Sequence, residues 1–407
     1  MTKSILTPLL TSSILASFLL VGCQSSVNNG SDNTSDDGLI SGQLVDSYIQ
    51  NADYTCEDGS TGITDINGSF ECTTLPVKFR LGGLELGEIT SLASDKQVFP
   101  QDLVGVDRAE TNNTAVVEMA RFLQSCDDDN NSENGIYISS TIKENLKDVE
   151  ETFNETNIDT YAVSAKITLM DRNRTTSHLQ ETTQFAQMVG KTTGLPEDVM
   201  AAIKTPKYDI DQNITNTLSF MGNEERLAYD VYNKLYETYT LKQLTNIATK
   251  SEIKHIQTVQ LLVQKYVTSY EDFTNIDMPE LSYKDTNVTD MEAGTYDIQE
   301  IQDLYDALIL KGEKSEQDAL EVGCMVEVTD VDDLDKYIQL AEDANATDIV
   351  TAFNFLRTAS YSHYWAFDKG LKNKGITDGC CALIDEVDYC HDEYPQTEQG
   401  GEGMGMH

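Results

Sequence analysis

The spacing of apolar residues changes character along the chain. Residues 5–21 form an apolar run, and residues 24–38 are dominated by Ser, Asn, Asp and Gly. Residues 39–90 then alternate on a period of two, most clearly at Val77, Phe79 and Leu81. That period puts every second side chain on one face of a strand. Turn pairs at Asp58-Gly59, Asn67-Gly68 and Gly82-Gly83 cut the stretch into short runs, which predicts a small β-sandwich. From 91 to 211 the spacing is mainly helical, as at Val116, Val117, Met119, Ala120, Phe122 and Leu123. Gly194-Leu195-Pro196 and Thr205-Pro206 mark the next boundary. Residues 212–378 carry four long segments of period 3.6, the pattern of an all-α bundle. A Cys-containing extension and a Gly-rich tail, expected to be disordered, fill 379–407. The expected fold class is multidomain: an N-terminal β-sandwich, a mainly helical middle and a C-terminal helical bundle.

Each of the four C-terminal segments places a candidate metal ligand on its apolar stripe. Leu218, Met221, Glu225, Ala228, Tyr232 and Leu235 share one face. Glu224 is in phase with Phe220, Leu227 and Val231, so either glutamate of the pair can be the inward one. The second stripe is Ala248, Glu252, His255, Val259 and Leu262, in which Glu252 and His255 form a Glu-x-x-His pair on adjacent turns. Glu327 lies in the third stripe with Leu320, Cys324, Val331, Leu334 and Ile338, behind a capping pair at Ser315 and Asp318. His363 lies in the fourth with Ile349, Phe353, Leu356, Ser360 and Phe367. A lone buried carboxylate is costly unless it is paired or metal-bound. Three carboxylates and two imidazoles in one core therefore require cations. The ligand set suits iron or manganese, and zinc can also be held.

Residues 224–232, 251–255, 323–327 with Asp330 and Asp333-Leu334, and 360–367 resemble, in this order, a prokaryotic ferritin-like family of unknown function related to rubrerythrin. The resemblance implies a four-helix bundle with a di-iron centre and oxidase, peroxidase or storage chemistry. Such bundles use a Glu from each of two helices and Glu-x-x-His from each of the other two. The implied ligands are Glu225, Glu252, His255, Glu327 and His363. Ser360 stands where the last helix would carry its second glutamate, leaving Asp330, Glu224 or water to complete the set. The rubredoxin-like Cys-x-x-Cys pairs of full rubrerythrins are absent. Upstream, residues 42–46, 52–56 and 64–70 resemble carboxypeptidase-regulatory β modules of bacterial surface proteins, which implies a spacer or adhesion role.

The apolar run at 5–21 follows Lys3 and ends in Leu20-Val21-Gly22-Cys23, which resembles a bacterial lipoprotein signal. Residues 1–23 are then a leader ending in a lipidated Cys23, and 24–38 a flexible tether. That implies a membrane-anchored chain in the bacterial cell envelope, facing the periplasm or the exterior, where disulfides form. Cys56 and Cys72 are the preferred pair. Cys380, Cys381 and Cys390 should supply one further bridge, or a zinc site with His391. Sixty-nine acidic residues against 28 basic ones give a net charge of −41, which excludes nucleic-acid binding. The acidic loop Asp127-Asp128-Asp129-Asn130-Asn131 offers oxygens for calcium but departs from the EF-hand pattern at Ser132 and Thr141. Two functions follow. One is an envelope-anchored di-metal protein that oxidises Fe(II) or handles dioxygen or peroxide. The other is a noncatalytic surface protein with a degenerate metal site. A protein partner or a homodimer is compatible with either.

Overall fold

The computed structural model describes residues 39–267, 287–383 and 387–396. The leader with Cys23, the tether and the Gly-rich tail beyond residue 396 lie outside the described residues. None of the described helices is long and apolar enough to cross a membrane.

The N-terminal region is sheet-rich. Its strands are β1 (Ile40–Leu44), β2 (Ile49–Gln50), β3 (Asp53–Cys56), β4 (Thr61–Ile63), β5 (Ser69–Cys72), β6 (Val77–Leu81), β7 (Leu84–Ile89), β8 (Gln97–Val98) and β9 (Ile136–Tyr137). They form sheets of order β4-β3-β6-β7, β5-β1-β8 and β2-β9. The alternation at Val77, Phe79 and Leu81 is realised: these residues are buried, and Lys78 between them is exposed. Gly82 and Gly83 make the β6–β7 turn. Gly82 has φ +61°, and a Cβ there would lie 2.3 Å from the Lys143 carbonyl oxygen, so only glycine fits. The Cys56–Cys72 disulfide joins β3 to β5 and so staples two sheets together.

Helices close the core that these sheets leave open. They are α1 (Pro100–Val104), α2 (Thr114–Ser125), α3 (Ser140–Leu146) and α4 (Ile158–Ala165). Phe122, Leu146 and Tyr161 share one apolar cluster with Phe70, Phe79 and Leu86. The expected boundary near residue 90 therefore falls inside a continuous core.

The described residues beyond these are mainly helical: α5 (Arg172–Lys191), α6 (Glu197–Ile203), α7 (Gln212–Tyr239), α8 (Lys242–Ile247), α9 (Ile253–Tyr266), α10 (Gln299–Gly312), α11 (Glu316–Asp343) and α12 (Thr347–Asn373). Helix α5 packs on both α2 and α9, and α6 packs on α12. Helices α7, α9, α11 and α12 correspond to the four periodic segments. Asp211 caps α7 by accepting from the Ile214 N–H at 3.0 Å. Ser315 caps α11 by accepting from the Asp318 N–H at 3.1 Å. The most extensive helix packing is between α11 and α12, where Gly323 lies against Phe367 and a Cβ would come within 2.3 Å of its ring. Helix α10 lies on α7 and α11 as an additional element.

Candidate metal centre

The stripe on α7 is buried as its spacing predicts, with Glu225 only 2% exposed among Met221, Ala228 and Tyr232. The opposite side of α7 is also covered. Arg226 is fully buried, stacks on the Tyr296 ring at 4.6 Å and lies 3.7 Å from Asp230. Tyr296, which precedes α10, therefore partners a charged residue on α7.

The second candidate segment is not a regular helix. Between α8 and α9 the backbone takes a π-helical turn over Ala248–Glu252. Glu252 closes that turn, and His255 sits one turn further on. A π-turn adds one residue to the local repeat and re-aims the side chains around it, and such turns are frequent at functional sites. Here it belongs to the segment that contributes two of the clustered side chains.

The side chains of Glu225, Glu252, His255, Glu327 and His363 converge. His255 Nδ1 lies 2.9 Å from Glu225 Oε2 and 3.0 Å from Glu252 Oε2. His363 Nδ1 lies 3.1 Å from Glu252 Oε1 and 3.3 Å from Glu327 Oε2. The two rings are stacked, with centroids 5.6 Å apart. Two triads result, Glu225–Glu252–His255 and Glu252–Glu327–His363, each with one ligand atom per residue within 4.8 Å of the others. Glu252 belongs to both, one oxygen turned to each histidine.

A surrounding shell holds these groups. The Tyr232 hydroxyl donates to Glu327 Oε1 at 2.5 Å. Ser360 donates to Asp330 Oδ2 at 2.5 Å. Asp330 is therefore held by α12, though it belongs to neither triad. Glu224 is buried but faces Asp333 and Asp330, so it is Glu225 that enters the cluster.

The cluster carries more acid than its bases can neutralise. Two imidazoliums supply at most two positive charges against the carboxylates of Glu225, Glu252, Glu327 and Asp330. Burial raises the pKa of Glu225 well above the usual carboxylate range. It also raises Glu327 and pushes Asp330 up to about 7. Glu252 behaves oppositely. Burial disfavours its charge, but His255 and His363 outweigh that and hold its pKa below the ordinary value. Burial disfavours the charge of His363 too, but its ion pairs with Glu327 and Glu252 outweigh that and raise it to about 10. Glu225 Oε1 and Asp330 Oδ1 are buried without a hydrogen-bond partner. Unpartnered buried oxygens and surplus negative charge fit a cation centre. Four carboxylates with two neutral imidazoles would balance two divalent ions.

A cavity between α7, α10 and α11 reaches this centre. Glu225, Glu252, Glu327 and Asp330 form its acidic floor, and Leu304 and Met325 are among its apolar walls. The elements at the C terminus are tied to the same helices. Cys324, one turn before Glu327, is bonded to Cys380, and Cys381 to Cys390. All three clustered cysteines are thus oxidised, which removes the thiolates that a zinc site with His391 needs. The pairing of Cys324 was not apparent from its phase on the stripe. Cys126 is the free, buried thiol among the described residues. In the acidic loop, Asp127 accepts from the Asn131 and Tyr137 N–H groups at 2.8 and 2.9 Å. Its oxygens cap backbone within the loop.

Fold and site together define a protein with a sheet-rich N-terminal region and a helical C-terminal region that buries a carboxylate–imidazole cluster. The chain belongs to the family of the uncharacterized protein domain DUF2202, whose pattern matches residues 215–388. Every residue of both triads lies within that span. An uncharacterized protein of Methanocaldococcus jannaschii, MJ0754, is 35% identical over 170 residues, which are 42% of this chain and 81% of that protein. The crystal structure of the hypothetical protein MJ0754 shares 32% identity, covers 42% of this chain and 86% of that one, and has a TM-score of 0.36.

Proposed function

We propose that the helical region is a ferritin-like four-helix bundle holding a pair of divalent metal ions, with iron as the native metal and manganese or zinc as substitutes. The observation that carries this reading is Glu252, a buried carboxylate shared by two carboxylate–imidazole triads from four helices. Glu252 would bridge the ions. Glu225 and His255 would hold one, and Glu327 and His363 the other, each histidine through the Nδ1 that faces the carboxylates. Hard oxygen and imidazole donors match iron and manganese. A bound iron pair would supply redox chemistry in which dioxygen or peroxide accepts the electrons lost by Fe(II).

This chain's own residues orient and gate. Tyr232 fixes one oxygen of Glu327 and leaves the other for His363, the way an outer hydrogen bond sets ligand geometry. Ser360 turns Asp330 toward the centre, where its carboxyl can hold or release a proton. The apolar walls of the cavity admit a small neutral molecule more readily than an anion, which the acidic floor repels. Cys23 as a lipid anchor would place the site in the bacterial envelope.

Metal analysis of protein purified without chelator tests the proposal. About two ions per chain are expected in the wild type. Wild-type protein with no more metal than a Glu252→Ala/His255→Ala variant would refute it. Bound metal with no oxygen uptake on adding Fe(II) would favour the noncatalytic alternative, which rests on Ser360 in place of a glutamate.

A further inference from the structure

A second cleft lies between the N-terminal sheets and the helical region and shares no lining residue with the metal centre. At one side the chain makes a two-residue turn between Val45 and Tyr48. Ser47, at φ +52°, is half-buried at the tip of that turn. Its Oγ lies 3.2 Å from Nε2 of His178 on α5. The other ring nitrogen, Nδ1, lies 2.9 Å from Glu133 Oε1. His178 is 4% exposed. Glu133 is held in turn by an ion pair to Lys207. A hydroxyl, an imidazole and a carboxylate are thus joined in sequence, at the distances that nucleophile activation requires.

Tautomer and charge both suit that role. With Nδ1–H donating to Glu133, the neutral ring presents a lone pair at Nε2 to the Ser47 hydroxyl. Once Nε2 takes a proton, the Asp46 carbonyl oxygen, 3.3 Å away, becomes its acceptor. The Asp46 carboxylate is fully buried nearby, with one oxygen bonded to Gln124 and the other without a partner. Glu133 and Asp46 therefore stabilise the imidazolium, as the acid of a triad must. Tyr48, Phe99 and Phe185 give the cleft apolar walls, and Lys204 adds a cation.

We propose that Ser47, His178 and Glu133 form a hydrolytic triad that cleaves a small carboxylic ester with an apolar acyl group bound in this cleft. Ser47 Oγ bonds to the acyl carbon as its proton passes to His178 Nε2. The carbon–alkoxide bond then breaks, and His178 returns the proton to the departing alkoxide, releasing an alcohol. Water repeats the two transfers on the acylated Ser47 and releases the carboxylic acid. Lys204 supplies positive charge for the transient oxyanion.

The test uses the full chain, a fluorophosphonate probe and p-nitrophenyl butyrate. Peptide mass analysis should find the probe on Ser47, and Ser47→Ala should lose both the label and hydrolysis. His178→Gln and Glu133→Gln should slow both by at least about a hundredfold, the scale of lost general-base assistance. Thermal melts and metal content establish that each variant is folded. A folded wild type that takes no label overturns the proposal, as does label or hydrolysis unchanged in Ser47→Ala. Hydrolysis lost in Glu252→Ala but kept in Ser47→Ala also overturns it, by assigning the activity to the metal centre.

Discussion

Replacing Glu252 by Gln removes the one carboxylate that both triads share. In metal-free protein Glu252 is ionised between two histidines, 3.0 Å from His255 and 3.1 Å from His363. Removing one partner of a buried ion pair costs about 3–5 kcal/mol, because the remaining charge is left without compensation. Two pairs break here, yet each histidine keeps a second carboxylate, Glu225 at 2.9 Å or Glu327 at 3.3 Å. The lower end, about 3 kcal/mol, is therefore expected. At about 2–4 °C per kcal/mol for a domain of this size, the melting temperature should fall by roughly 6–12 °C. The assay is calorimetry of chelator-stripped wild type and Glu252→Gln, repeated with added Mn(II). Ligand binding to the folded state raises the wild-type melting temperature in proportion to the logarithm of metal concentration. The variant should show a much smaller rise. A metal-free variant melting within about 2 °C of wild type, less than one kcal/mol, with the same response to Mn(II), would refute the assignment of Glu252 as a bridge.

Five other outcomes follow from the structure. Metal-free protein should lose stability as pH rises from about 4 to about 7, read as falling urea midpoints. Asp330 keeps its proton up to about pH 7 when folded but gives it up near 3.8 when unfolded, so the folded state binds more protons across that window. Glu225 and Glu327 add in the same direction, while Glu252 contributes stability that is lost only as pH falls below the ordinary carboxylate range. Metal affinity should rise over the same window, since binding displaces these protons. Cys324→Ser/Cys380→Ser opens a link spanning 56 residues, which should cost about 4 kcal/mol by loop entropy and lower the melting temperature. Ser360→Ala strips Asp330 of its donor and should cost about 1–3 kcal/mol by chemical denaturation. Ser360→Glu should instead raise metal affinity, measured by competition with a chromogenic chelator.

The triads were legible because helical periodicity is a one-dimensional signal. Spacings of three and four put Glu225, Glu252, Glu327 and His363 on stripes with Leu, Val and Phe, and a core stripe must be buried. Alternation on a period of two likewise marked β6. Helical phase did not separate Glu224 from Glu225, since both are in phase with apolar neighbours. The π-turn at Ala248–Glu252 was also invisible, because one extra backbone residue leaves composition unchanged. The cluster of Ser47, Glu133 and His178 had no sequence signature: its members come from a turn, a short 3₁₀ turn and a helix, 131 residues apart between Ser47 and His178.

By itself the sequence determined which helix faces are apolar, where the turns fall, the sign and size of the net charge and the identity of the five converging side chains. Those properties reside in neighbouring residues and in local backbone geometry. Tertiary structure alone decided that Glu252 would be shared, that Asp330 would turn to Ser360, that Cys324 would find Cys380 and that helices α2 to α4 would complete the N-terminal core. Each is a contact between distant segments, and its distance depends on how whole elements pack. A few ångströms of helix offset separate a carboxylate shared by two histidines from one that reaches neither.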